Sequence, residues 1–102
     1  MLVKQSHSKF KTVLNGTRTS LQIATGGGHE ITSVIVTGGS GGAAVRISDS
    51  ASGVDTLDSF VVAANGGEST PFNPDAPILM KQGIYAELEQ SSGNAEATIF
   101  YN

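Results

Sequence analysis

The residues that could do chemistry in this chain are mainly carboxylates and histidines. Asp49, Asp55 and Asp58 lie close together in the sequence, and carboxylate oxygens that converge on one point are the ligands that Ca²⁺ prefers. Their spacing does not match an EF-hand loop, and aspartate is common in turns, so a turn is favoured over an ion site. His7 and His29 lack the spacing of zinc ligands. We therefore predict exposed histidines and no metal site.

Glu87 and Glu89 are the best candidates for a catalytic pair. In a strand they would lie on one face about 7 Å apart, a separation that some glycosidases use. Glutamates on one face of a strand are, however, typical of a surface that faces solvent. The chain has no cysteine for thiolate chemistry and no G-x-S-x-G motif. We predict no catalytic residue, no cofactor and no enzymatic activity.

The loop "GGSGG" (38–42) could bind phosphate or simply reverse the chain. A phosphate-binding loop aims backbone N–H groups at the anion from the start of a helix, and a Walker loop adds a lysine. Here the glycines precede "AAVRI" (43–47), which alternates like a strand and contains no lysine. We predict the flexible tip of a β-hairpin, in which glycine supplies positive φ angles.

Alternation of apolar and polar residues recurs along the chain, with turn residues between the runs. No segment has the spacing of an amphipathic helix. The pattern predicts one all-β domain over residues 1–102, an antiparallel β-sandwich or jelly roll of about eight strands. The three prolines at 71, 74 and 77 are expected outside the strands. The predicted strands are 7–14, 18–25, 30–37, 43–49, 54–62, 78–81, 84–90 and 95–101.

The same alternation predicts which side chains face the core. A sandwich core is about 10 Å thick and is filled by the inward residues of both sheets, so we expect no cavity for a small molecule. The residues predicted to point mostly inward are Leu21, Ile23, Val34, Val36, Val45, Ile47, Ile84, Leu88 and Ile99.

Charge is unevenly distributed along the chain. The first 29 residues carry four basic residues and no acidic one, whereas the rest carries two basic and nine acidic residues, a net charge of −7. Residues 1–14 are therefore either a basic arm that meets an acidic partner or an edge strand of the domain itself. An acidic body disfavours nucleic acid, and no apolar run is long enough to span a membrane. The candidate partner-binding residues are Lys4, Lys9, Phe10, Lys11, Val13, Leu14 and Arg18.

Residues 30–102 also resemble a known family. Three features support the resemblance: an A-x-V-x-I-x-D strand at 43–49 after the glycine turn, Pro77-Ile78 followed by "GIYAEL" (83–88), and the final "AEATIFY" (95–101). This order is similar to that of small β-sandwich virion proteins of tailed bacteriophages.

The resemblance implies a non-enzymatic structural role in the virion. Within that class we expect a capsid decoration or cement protein, with the major capsid protein or other virion proteins as partners. The resemblance also implies a homo-oligomer, with a trimer favoured. The alternatives are a tail, collar or fibre-associated protein, or a carbohydrate-binding β-sandwich module. The last would need exposed aromatic side chains, and only Tyr85 and Tyr101 could serve because the chain has no tryptophan.

Overall fold

The computed structural model describes residues 8–16, 19–51, 59–90 and 94–102. Within these residues the chain forms nine β-strands and no helix. The strands are β1 (Phe10–Asn15), β2 (Ser20–Thr25), β3 (His29–Thr37), β4 (Ala43–Ser48), β5 (Ser59–Ala64), β6 (Ser69–Phe72), β7 (Ile78–Met80), β8 (Gly83–Gln90) and β9 (Glu96–Tyr101).

The strands form two antiparallel sheets that pack face to face. One sheet has the order β1-β9-β3-β6, with β7 also paired to β3, and the other has the order β2-β8-β4-β5. Every pairing is antiparallel. The predicted all-β sandwich is confirmed, with nine described strands instead of eight.

The additional strand, β6, lies between the predicted strands 54–62 and 78–81, where the sequence pattern predicts no strand. Its Pro71 pairs with Ile35 of β3, so the prediction that all three prolines lie outside the strands is wrong at this position. Proline has no N–H to donate to a ladder, and it is therefore tolerated at the edge of a sheet. β6 is such an edge strand, since β3 is its only neighbour in the sheet.

The core fills the space between the two sheets, and the period-2 alternation identifies most of it. Seven of the nine residues predicted to face inward are buried: Val34, Val36, Val45, Ile47, Ile84, Leu88 and Ile99. The core also contains Leu14, Ile31 and Met80, each at most 2% exposed. Alternating inward residues from both sheets are what a sandwich core requires.

Leu21 and Ile23 of β2 are the two predicted core residues that are only half-buried. β2 is an edge strand whose only partner is β8, and its register shifts between Gln22 and Ala24. Such an irregularity inserts an extra residue and bends an edge strand. Ile23 still packs against the core, but the edge position leaves both side chains partly open.

Aromatic pairs close both lateral sides of the sandwich. On one side Phe60 of β5 meets Phe72 of β6, with ring centroids 5.6 Å apart, and so joins the two sheets. On the other side Phe10 of β1 stacks on Tyr101 of β9 at 5.3 Å. Among the described residues, each of the two sides therefore carries one pair of stacked or tilted Phe or Tyr rings.

Candidate partner-binding surface

Strand β1 is an edge strand of the five-stranded sheet and pairs only with β9, from Phe10↔Tyr101 to Asn15↔Glu96. Of the two interpretations of the basic segment, residues 10–15 therefore correspond to the edge strand of the domain itself. Lys9 and Lys11 are exposed, Phe10 is 50% exposed and Val13 is 36% exposed. By alternation Lys11 and Val13 face outward, whereas Phe10, at the start of the strand, lies on the same face as Leu14. The structure thus places four of the predicted partner-binding residues along one edge strand, which we call the β1 strip (residues 9–13).

Three of the predicted partner-binding residues do not belong to this strip. Leu14 is fully buried and packs in the domain's own core, opposite Ala97 of β9. Alternation places Leu14 on the inner face because Val13 faces outward, so Leu14 cannot contact a partner while this fold is intact. Lys4 and Arg18 lie outside the described residues.

Phe10 is held in place although half of it is exposed. Its ring stacks on Tyr101, which in turn meets the His29 ring edge-on at 6.4 Å. Lys9 is fixed next to it, since its backbone N–H donates to Asn102 Oδ1 at 2.9 Å. The exposed half of the ring is consequently an ordered apolar surface at this edge, on the opposite face of β1 from Lys11.

His29 is half-buried, which corrects the expectation of an exposed side chain. Its Nδ1 lies 3.1 Å from the carbonyl oxygen of Asn102, and its Nε2 lies 3.3 Å from that of Thr25. Both ring nitrogens therefore face the chain's own backbone. His7 lies outside the described residues.

The glycine loop is not the tip of a hairpin. β3 belongs to the five-stranded sheet and β4 to the four-stranded sheet, so residues 38–42 carry the chain from one sheet to the other. The alternation correctly predicted a strand after the glycines. It could not show that the two flanking strands have different partners.

The glycine loop is also packed, not flexible as predicted, because it interlocks with the turn at 65–68. Gly38 donates to the Glu68 carbonyl at 2.8 Å, and the Gly67 N–H lies 3.0 Å from the carbonyl oxygens of Gly38 and Gly39. A Cβ on Gly38 would overlap the carbonyl oxygen of Asn65, and one on Gly66 would lie 2.6 Å from that of Ser40. Glycine is required here for close backbone approach between two loops.

Asp49, the first of the three aspartates considered for calcium, binds backbone instead. Its side chain is 2% exposed; Oδ2 accepts from the Lys81 N–H at 3.0 Å and Oδ1 from the Gln82 N–H at 2.6 Å. The carboxylate thus caps the turn between β7 and β8. Asp55 and Asp58 lie outside the described residues.

Gln22, which the sequence pattern did not single out, completes this end of the sandwich. Its Nε2 lies within 3.1 Å of the carbonyl oxygens of Ala24, Ser50 and Ile84, whereas its Oε1 is buried without a hydrogen-bond partner. The side chain thereby bridges the irregular part of β2, the start of β8 and the segment after β4. A polar residue in an alternating strand gives no sign of such a role.

Glu87 and Glu89 flank the buried Leu88 and lie on the outer face of the four-stranded sheet. Glu87 stands directly opposite Arg46 across the β4–β8 pairing, and Glu89 stands opposite Ala44. Cross-strand pairs of opposite charge stabilise a sheet modestly. This arrangement is that of a charged sheet face.

A cleft at the lateral edge opposite the β1 strip was not predicted. It has a volume of about 310 Å³. Phe60, Phe72, Ile78, Leu79 and Met80 form its apolar lining, and Asp49 and Ser59 complete it. The sequence pattern does not indicate it because the pattern predicts no strand at β6, which supplies Phe72. We call it the β5–β7 cleft.

Within the part of the chain that the structure describes, no group of three or more histidine, aspartate or glutamate side chains could hold a metal ion. The same residues include no helix that is long and apolar enough to cross a membrane. Comparison with protein-family models, curated proteins and solved structures finds no match for this chain.

Proposed function

We propose that this chain is a non-enzymatic structural component of a bacteriophage virion, a capsid decoration protein that binds the major capsid protein and joins capsid subunits. The proposal starts from the resemblance of residues 30–102 to small virion β-sandwiches. The main observation that supports it is the β1 strip, where Phe10 and two exposed lysines lie on a strand that is a sheet edge among the described residues. An open edge can add a strand from another chain, and its side chains can select the partner.

Charge supports a protein partner for this strip. Lys9 and Lys11 stand on a chain whose residues from 30 onward carry a net charge of −7. Basic groups at a rim steer association with acidic surfaces and specify orientation more than they add affinity. Both an acidic capsid surface and another copy of this chain would complement the strip. We therefore also propose that the working form is a homo-oligomer, with a trimer favoured.

The experiment is binding to purified capsids that lack the protein, followed by co-sedimentation. The double variant Lys9→Gln with Lys11→Gln keeps both side chains polar and removes their charge. Exposed ion pairs are each worth at most about 1 kcal/mol, so we expect roughly a tenfold loss of affinity that is largest at low salt. The matched control is Lys81→Gln, which removes an exposed charge from the β7–β8 turn.

Three results would contradict the proposal. Failure of the unmodified protein to co-sediment with capsids would exclude the decoration role. Cryo-electron density of the chain on the tail, collar or fibres would instead support the alternative virion location. Saturable binding to glycans in place of capsids would favour a carbohydrate-binding module.

A further inference from the structure

The β1 strip and the β5–β7 cleft lie at opposite lateral sides of the sandwich and are joined by one row of the five-stranded sheet. Phe10 pairs with Tyr101, Tyr101 pairs with Ile31, and Ile31 pairs with Ile78 at the cleft. One row of directly opposite residues therefore runs across the sheet from the β1 strip to the β5–β7 cleft. A copy placed beside another along this row would bring the Phe10 of one next to the cleft of the other.

The two surfaces match in polarity and size. Phe10 exposes half of an aromatic ring, and the cleft offers about 310 Å³ with five apolar side chains around it. That volume is at the lower end for ligand pockets and suits a single large side chain. Leu79 at the cleft is 54% exposed, so both surfaces leave apolar area in water in an isolated copy.

The charges around the two surfaces are opposite. Phe10 is preceded by Lys9 and followed by Lys11, which lies on the other face of β1, and no acidic residue occurs in residues 8–16. At the cleft, Glu30 pairs with Leu79, and Asp75 lies in the loop between β6 and β7. Asp49 also lines the cleft, but its carboxylate is buried and accepts from the backbone of Lys81 and Gln82. The rim therefore carries the acidic side chains Glu30 and Asp75, with Lys81 in the adjoining β7–β8 turn.

We infer that Phe10 of one copy inserts into the β5–β7 cleft of a second copy, with Lys9 and Lys11 facing its acidic rim. This deepens the proposed self-association and depends on that part of the proposed function. The two surfaces differ, so the contact is head-to-tail and generates a closed ring or an open chain of copies. A ring of three would agree with the favoured trimer.

Phe10 is suited to this role because it is already ordered. The stacking on Tyr101 fixes the ring before association, so little side-chain freedom is lost on binding. Aromatic residues that fill a pocket at the centre of a contact commonly dominate its affinity. We expect Phe10→Asp to weaken self-association at least about 30-fold, as removal of such a residue does.

The test uses two variants of the full chain, each with one damaged surface. Phe10→Asp removes the projecting ring and keeps the cleft, whereas Leu79→Asp damages the cleft and keeps the ring. Each alone should sediment as a monomer of 10.4 kDa, and an equimolar mixture should form a dimer of twice that mass through the one intact contact. Val61→Asp is the control, since Val61 is 57% exposed on the other sheet.

Several outcomes would overturn the inference. They are a monomeric unmodified protein, a Leu79→Asp variant that still associates alone, or a mixture that stays monomeric although circular dichroism shows both variants folded. Should either variant fail to fold, Lys11→Glu and Glu30→Lys replace them, and the mixture must again exceed both single masses. These measurements are made without capsids, so a failure here leaves the capsid-binding result independent.

Discussion

The two ends of strand β4 are held by different chemistry. Before β4, the glycine loop at 38–42 meets the turn at 65–68 through backbone hydrogen bonds and close backbone contacts. After β4, the Asp49 carboxylate binds the N–H groups of Lys81 and Gln82, and the amide of Gln22 bridges nearby carbonyls. The first end leaves no room for a Cβ at Gly38 or Gly66, and the second end depends on two polar side chains.

This difference determines how each end responds to mutation. Where two backbones touch, one added methyl group must displace a whole loop, and cores respond to such overpacking with strain. Where a side chain bonds to backbone, a shorter or neutral substitute loses the bonds but leaves the backbone in place. We therefore expect an abrupt response at the glycine end and a graded response at the Asp49 end.

The largest effect is expected for Gly38→Ala. Its Cβ would overlap the Asn65 carbonyl, and we expect a loss of about 3 kcal/mol in the free energy of unfolding, measured by urea denaturation. Gly26→Ala is the matched control, because Gly26 has φ of 86° but nothing within 4 Å of its Cβ position. It should lose only about 1 kcal/mol, the cost of a left-handed conformation. Equal losses at both sites would disprove steric interlocking.

Asp49→Ala should have the next largest effect, a loss of about 2 kcal/mol, because two backbone N–H groups lose a charged acceptor. Asp49→Asn keeps one acceptor oxygen and should lose about half as much. Hydrogen exchange should accelerate at the Lys81 and Gln82 amides in both variants. Unchanged exchange at these two amides would show that the carboxylate does not hold the turn.

Gln22→Met should lose about 1 kcal/mol, since it keeps the length of the side chain and removes the donor shared among three carbonyls. The loss is limited because the unpaired Oε1 is removed at the same time. Thermal denaturation is a sufficient measurement. A more stable variant would mean that the buried oxygen costs more than the donor contributes.

The smallest effect is expected on the sheet faces between the two ends. Val61→Ser on the outer face of β5 should change the free energy of unfolding by less than about 0.5 kcal/mol, as exposed substitutions generally do. A loss comparable to that of Gln22→Met would show that the faces, and not only the ends, determine stability.

The fold could be predicted from the sequence to a large extent, because burial in a sandwich follows local alternation. Val45 and Ile47 face inward around Arg46 in both the pattern and the structure. The alternation failed where partners lie far apart in sequence. Nothing local to Gly38 indicates that Asn65 and Gly66 will contact its loop, and a strand that contains Pro71 has no clear alternation.

The same reasoning applies to the candidate surface. Lys9, Phe10, Lys11 and Val13 could be recognised as a basic and apolar segment, and the structure places them on one strip. The predicted partner-binding residues also include Leu14, because composition does not distinguish the two faces of a strand whose ends are uncertain. The β5–β7 cleft could not be predicted, since it forms from three strands that meet only after folding.

The pairing of β1 with β9 has a consequence for how the domain is made. The Lys9 N–H donates to the side chain of Asn102, 93 residues further along the sequence. β9 lies between β1 and β3 in the sheet, so β1 has no neighbour among the described strands until β9 is present. Domains dominated by such distant pairings fold slowly, in milliseconds to seconds. During synthesis, β3 can pair with β6 and β7 first, but β1 and the other edge of β3 must wait for Ile99 and Tyr101 to leave the ribosome. A nascent chain therefore exposes these strand edges to other nascent chains until β9 has been made.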